Sequence, residues 1–185
     1  MSFKSTFVLA AILVLLAGFM FFSRFMKPQE TVEEPPEIWS VEEESIEKID
    51  MRLPGADKSV SFVIGSDGYW DFNEPGRPPV SLKRWGGIVL LLTGPQSRRL
   101  IAQQMNNPDD FGLVNPQLII NLGIRGKKGL EIHIGDATPN GDAFYVRVKG
   151  SDQLYLVDQT WMQVMSRLVK EPPREIVRTV KPLNE

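Results

Sequence analysis

The sequence contains no cysteine and only one histidine among its 185 residues. Without cysteine the chain has no disulfide, no thiolate metal site, no cysteine nucleophile and no lipidated-cysteine anchor. A single histidine leaves little capacity for an imidazole metal centre. The formal net charge of −2 argues against a nucleic-acid partner, because phosphate recognition requires clustered positive charge. We therefore expect no nucleic-acid partner, no cofactor and no metal centre of these types.

The common nucleotide-binding and catalytic motifs are also missing. The sequence has no GxxxxGK[ST] or GxGxxG phosphate loop, no GxSxG nucleophile turn and no HExxH zinc motif. No catalytic residue is therefore assigned, and the chain is interpreted as non-enzymatic. A hydrolase built on paired carboxylates stays open, because spacing in the sequence does not show whether two carboxylates meet.

Charged residues are absent from the first part of the chain, between Lys4 and Arg24. As a helix, the run from Ser5 to Ser23 would be about 28 Å long, close to the hydrocarbon thickness of a bilayer. The run lacks the small-residue cleavage pattern of a signal peptide. We predict a transmembrane anchor over residues 1–27 that contacts lipid through residues 5–23, with a cleaved signal peptide as the alternative.

An acidic segment follows the anchor. Residues 28–37 include two adjacent prolines and almost no apolar side chains, which predicts an extended linker. Between Glu30 and Asp50 there are nine acidic residues and one lysine. Positive charges flank the apolar run almost equally, but the very short segment before it is typical of a signal anchor. We expect a single-pass protein of the plasma (inner) membrane with most of its chain extracytoplasmic.

The remainder of the chain is divided by glycine and proline turns into short segments of alternating polarity. This pattern predicts strands. Two segments with helical spacing begin at Ser81 and Trp161. The predicted fold is an α+β domain over residues 38–173, with a mostly antiparallel sheet of six or seven strands and two helices, and a C-terminal tail at 174–185. Both halves run strand, turn, strand, helix, so an arrangement of two similar halves is a second interpretation.

One loop has the spacing of a cation site. From residue 136 onward, oxygen-bearing side chains alternate along the chain and glycine stands sixth, as at the start of an EF-hand. Arg147 occupies the twelfth position, where an EF-hand needs glutamate, and the same residue types are typical of hairpin turns. A hairpin turn is therefore favoured, and the calcium candidates are Asp136, Thr138, Asn140 and Asp142.

The single histidine lies in an alternating strand. Ile132 and Ile134 point to one face of this strand, so His133 and Glu131 point to the other, more polar face. A general base would need a nucleophile and an orienting acid, and neither is evident from the sequence. We interpret His133 as a surface histidine.

Several segments together resemble the DUF4340 family, a bacterial domain of unknown function. The most specific are DFGLVNP at residues 110–116 and IGDATPNG at residues 134–141, and SDGYW, FYVRV and QLYLV add to the resemblance. It covers roughly residues 39–173, with Phe111 where the family usually has tyrosine. The resemblance implies a membrane anchor and no known catalytic residues. It also implies a link to ABC-type transport systems of gliding motility and export for some members.

These observations lead to one functional expectation. We expect a non-enzymatic, membrane-anchored accessory protein whose extracytoplasmic α+β domain binds other membrane or envelope proteins. An auxiliary role in an ABC-type transport system follows from the resemblance alone. The alternatives are a subunit of a larger membrane complex, and a membrane-tethered calcium-binding or hydrolase domain.

Overall fold

The computed structural model describes residues 12–22, 37–95, 97 and 99–175, and the chain divides into two compact units, Met1–Glu34 and Pro35–Glu185. In the first unit, residues 12–22 form a helix (α1) with exposed apolar side chains. No helix among the described residues combines the length and the hydropathy that a membrane span requires. The other residues of the predicted span, and residues 28–36 of the predicted linker, lie outside the described part of the chain.

The second unit is built on one sheet in which all neighbouring strands are antiparallel, in the order β3-β2-β1-β5-β6-β7-β8-β4. The predicted α+β class is confirmed, but the sheet has eight strands within the described residues rather than six or seven. The two edge strands are only three residues long, too short for a clear alternating pattern. The strands are β1 (Ile46–Leu53), β2 (Lys58–Ile64), β3 (Trp70–Phe72), β4 (Leu100–Ala102), β5 (Leu118–Ile124), β6 (Leu130–Ala137), β7 (Ala143–Val148) and β8 (Leu154–Asp158).

The described part of the second unit has three α-helices rather than two. The helix predicted to begin after Ser81 is divided into α2 (Leu82–Trp85) and α3 (Ile88–Thr93), and the last helix is α4 (Gln159–Lys170). The division falls at two adjacent glycines, and the second, Gly87, has a φ of 78° that ends the first helix at low cost for glycine. Three short 3-10 helices cover Glu43–Ser45, Pro54–Ala56 and Pro108–Phe111.

The three helices and one face of the sheet share a single hydrophobic core. Phe62 on β2 is completely buried, with its ring centroid 4.5 Å from that of Trp85 and 5.2 Å from that of Phe72. The indoles of Trp39 and Trp161 are buried and donate hydrogen bonds to the backbone of α3. Trp39, Trp85 and Trp161 thus belong to the core, and Trp70 packs against it.

The chain remains attached to the domain beyond the predicted boundary at residue 173. The Arg174 guanidinium donates to both carboxylate oxygens of Glu74, at 2.6 and 2.9 Å, and lies 4.3 Å from the ring centroid of Phe72. The hydrogen bond with Arg174 holds the pKa of Glu74 below its usual value. Residue 174 is therefore part of the domain, and residues 176–185 of the predicted tail lie outside the described residues.

Candidate functional site

The face of the sheet opposite the helices carries a row of residues from four adjacent strands. Arg52 on β1 pairs with Ile119 on β5, Ile119 pairs with His133 on β6, and His133 pairs with Arg147 on β7. Because alternate residues of a strand share a face, the four side chains project from the same side. We call this set, Arg52, Ile119, His133 and Arg147, the cationic row.

A second row runs beside the first and contains acidic groups that already have partners. Asp50 pairs with Ser61 and with Asn121, and Asn121 pairs with Glu131. The hydroxyl of Ser61 donates to an Asp50 carboxylate oxygen at 2.5 Å, and the ammonium of Lys48 lies 2.8 Å from the other oxygen. The negative charge of Asp50 is therefore compensated by Lys48, two residues away on the same strand.

Glu131 links the two rows. Lys149 Nζ donates to Glu131 Oε2 at 2.8 Å, and His133 Nε2 lies 2.7 Å from Glu131 Oε1. The hydrogen bond from Lys149, and then that from His133, holds the pKa of Glu131 below its usual value. The carboxylate is therefore ionised at neutral pH and fixes the orientation of the imidazole.

The hydrogen bonds of Glu131 with Lys149 and His133 predict that this carboxyl makes a pH-dependent contribution to stability. A carboxyl with a lowered folded-state pKa stabilises the fold above its unfolded-state pKa, and this contribution is lost as the pH falls through the folded-state value. Glu131→Gln is expected to lower the free energy of unfolding by about 1 kcal/mol at about pH 6, and the deficit should shrink towards about pH 3. Urea unfolding of both proteins across this range measures the difference. Glu44→Gln, at an exposed position, is the control, and an equal deficit at every pH would contradict the prediction.

A continuous groove lies over the two rows. One part, of about 490 Å³, is lined by residues that include Asp50, Ser61 and Asn121. The adjoining part, of about 580 Å³, is lined by residues that include His133 and the loop residues 114–116. Both parts are lined by Arg52, Ile119 and Glu131, so they form one open channel across the strands.

Two glycines allow the loop wall of the groove to lie close against β6. A Cβ atom at Gly135 would overlap the carbonyl oxygen of Phe111, and one at Gly112 would lie 2.5 Å from the Asp136 carboxylate carbon. The Phe111 ring packs edge-on against Tyr145 at 4.9 Å between centroids. Residues 110–116 and 134–141, the two most specific segments of the resemblance, are therefore in direct contact.

Nitrogen atoms of three residues in the cationic row have no hydrogen-bond partner among the residues that the structure describes. His133 Nδ1 and Arg147 Nε are buried without a hydrogen bond to any described residue. Arg52 is exposed and forms no ion pair or hydrogen bond within the described part of the chain. The side chain of His133 is 12% exposed and lines the open groove, so it is more enclosed than the surface position expected for it. It does lie on the polar face, but the groove residues surround it there.

Three of the calcium candidates, Thr138, Asn140 and Asp142, lie in the hairpin turn between β6 and β7, and the fourth, Asp136, lies on β6. The Thr138 hydroxyl donates to Asp142 Oδ1 and to the carbonyl of Ala143, each at 3.1 Å. Asp136 lies apart from this pair and accepts a hydrogen bond from Gln117 Nε2 at 3.1 Å. Asn140 is exposed at the turn. No group of three His, Cys, Asp or Glu side chains among the described residues is placed to hold a metal ion.

Sequence reasoning did not identify Arg52 and Arg147 as neighbours of His133. Alternation along β6 placed Glu131 and His133 on the polar face. The same rule applied to β1 would place Arg52 on the polar face too, because Met51 and Leu53 on either side of it are buried. The missing information was the order of the strands, because β1 and β5 are adjacent although more than sixty residues separate them in the sequence.

The fold and the groove together define a class of protein: an α+β domain on one antiparallel sheet, with helices on one face and an open polar groove on the other. The chain belongs to the DUF4340 family, a domain of unknown function, whose sequence profile matches residues 70–171, more than half of the chain. The resemblance noted from the sequence is thus confirmed. No curated protein and no solved structure matches the chain.

Proposed function

We propose that this protein is a non-enzymatic, membrane-anchored accessory protein whose extracytoplasmic domain binds another membrane or envelope protein through the groove. The observation that carries the proposal is the asymmetry of the sheet. Helices bury one face, while the other face bears a continuous groove over β1, β5 and β6. An open channel of this shape suits a protein segment better than a small ligand, because small-ligand sites enclose most of the ligand surface.

The rigid wall of the groove supports a binding role. Leu113 is completely buried directly beside the exposed Val114, and Gly112 and Gly135 allow the loop to approach β6 closely. A wall fixed in this way loses little conformational entropy on binding, which favours affinity. The side chain of Val114, 56% exposed, therefore presents a preformed apolar contact at the mouth of the groove.

Membrane anchoring and a role beside a transporter complete the proposal. The uncharged run at residues 5–23 has the length and hydropathy of a membrane-spanning segment. The acidic, proline-containing residues 28–37 would act as a spacer between the membrane and the domain. The auxiliary role in an ABC-type transport system rests on the family resemblance, which associates some members with such systems.

Site-specific photocrosslinking in intact cells tests the proposal. A photoreactive amino acid at Val114, in the groove wall, should yield one discrete crosslinked protein. The same amino acid at Leu90, which is 61% exposed on α3, is the matched control and should yield none. The protein should also stay in the membrane fraction after alkaline extraction. Crosslinks from Leu90 but not from Val114 would exclude the groove as the binding surface, and release by alkali would exclude the anchor.

A further inference from the structure

We propose that the groove recognises an acidic side chain in an extended peptide segment of the partner, and that Arg52 is the residue that contacts it. The inference deepens the proposed function, since it takes the groove as the binding surface and specifies the chemistry of its occupant. The acidic side chain lies over Ile119, with Arg52 on one side of it. On the other side are the half-buried side chains of His133 and Arg147, which pair across β6 and β7.

The positive charge of the cationic row is not neutralised within the domain. Asp50 is engaged by Ser61 and Lys48, and Glu131 is engaged by Lys149 and His133. Neither acid bonds to an arginine of the row. Two guanidinium groups, those of Arg52 and Arg147, therefore remain without an acidic partner among the described residues. Of the two, only Arg52 lines the groove, so it is the uncompensated positive charge that an anion in the groove can reach.

The spacing of the row fits one carboxylate. Neighbouring strands lie about 4.8 Å apart, so the backbones of Arg52 and His133 are separated by about 10 Å and those of Arg52 and Arg147 by about 14 Å. Ile119 between them is apolar and lines both parts of the groove, so the groove passes along it. A guanidinium reaching across this gap can bind a carboxylate through two parallel hydrogen bonds.

Arg147 contributes through its charge rather than through contact. Its Nε atom is buried beside His133 and has no hydrogen-bond partner among the described residues. The Arg147 side chain is half-buried, and a half-buried charge is screened less by solvent than an exposed one, so it adds to the positive potential over Ile119. Arg52, which is exposed, makes the direct contact.

The ends of the groove define the flanking residues of the peptide. On one side of Arg52 the lining is polar, with Ser61 and Asn121. On the other side it is largely apolar, with Pro54, Val114 and Pro116. The preferred segment is therefore acidic at its centre, with polar residues on one side and apolar residues on the other.

Calorimetric titration of the full-length chain in detergent micelles tests the inference. The probe is N-acetylated hexaglutamate, and N-acetylated hexaglutamine is the uncharged comparison. Hexaglutamate should bind, and Arg52→Gln should weaken its binding by at least about tenfold. Arg167→Gln removes the same charge from α4, on the helical side of the sheet, and should leave the affinity unchanged. Arg52 is exposed, so its variant is expected to melt at the wild-type temperature.

The alternative outcomes separate this inference from the proposed function. Equal binding of hexaglutamine, or full affinity of Arg52→Gln, would overturn recognition of an acidic side chain. Competition by millimolar inorganic phosphate that displaces hexaglutamate completely would identify a small-anion site instead of a peptide site. If Val114 still crosslinks to a partner in either case, the binding function of the groove stands and only its acidic specificity falls.

Discussion

A chain that begins at residue 70, where the family match starts, is expected not to fold, whereas residues 37–175 should form a stable domain. The shorter chain lacks β1 and β2. β1 lies near the middle of the sheet and pairs with both β2 and β5. Without it, β5 becomes an edge strand, and its buried side chains, including Leu118 and Ile120, lose their neighbours across the sheet.

The size of this effect follows from the core residues removed. β1 and β2 supply side chains that are almost completely inaccessible, among them Ile46, Ile49, Met51 and Phe62. Each buried apolar side chain of this size contributes about 1.5–3 kcal/mol, and a whole domain has a net stability of only about 5–15 kcal/mol. Circular dichroism should show a cooperative thermal transition for residues 37–175 and none for residues 70–175. Cooperative melting of the shorter chain would contradict the prediction.

Gly135→Ala is expected to destabilise the domain by about 3 kcal/mol, which is large for the addition of one methyl group. The new Cβ would overlap the carbonyl oxygen of Phe111 and approach the backbone of Gly112. Both obstacles are main-chain atoms, so no flexible side chain can move aside. Relief requires the loop at residues 108–117 to separate from β6, which exposes Leu113 and disturbs the wall of the groove.

Urea unfolding measures this change, and a second glycine provides the control. Gly55 lies in a turn where an added Cβ would meet no atom within 4 Å, and its substitution by alanine should change stability by less than about 0.5 kcal/mol. A Gly135→Ala variant as stable as Gly55→Ala would show that the two loops do not pack as closely as the structure indicates. The Gly135 variant should also lose the crosslink from Val114.

Local sequence patterns determine the bounds of some strands and helices but not of others. The bounds of β5, Leu118–Ile124, are evident from the sequence alone, because its apolar run ends at a turn rich in glycine and lysine. The single helix predicted after Ser81 is confirmed only in part. The apolar spacing continues through Gly86 and Gly87, but the helical backbone is interrupted there. Apolar spacing reports which side of an element is buried, and is insensitive to a break that keeps the same side buried.

The groove shows the limit of such reasoning. The distinctive segments at residues 110–116 and 134–141 were identified from the sequence, but nothing in either segment indicates that Gly112 and Gly135 bring them into contact. The burial of His133 was missed for the same reason. Its strand predicts which face it occupies, but the loop that covers part of that face lies elsewhere in the chain.

The sequence by itself determined the class of the fold, the positions of most strands, the buried tryptophans and the absence of disulfides and thiolate sites. These properties depend on residue type and on alternation between near neighbours. Only the tertiary structure decided that Arg52, His133 and Arg147 form one row. That row requires the order β1-β5-β6-β7, which arises when distant strands bury a common core, and no local pattern in the chain encodes which strands become neighbours.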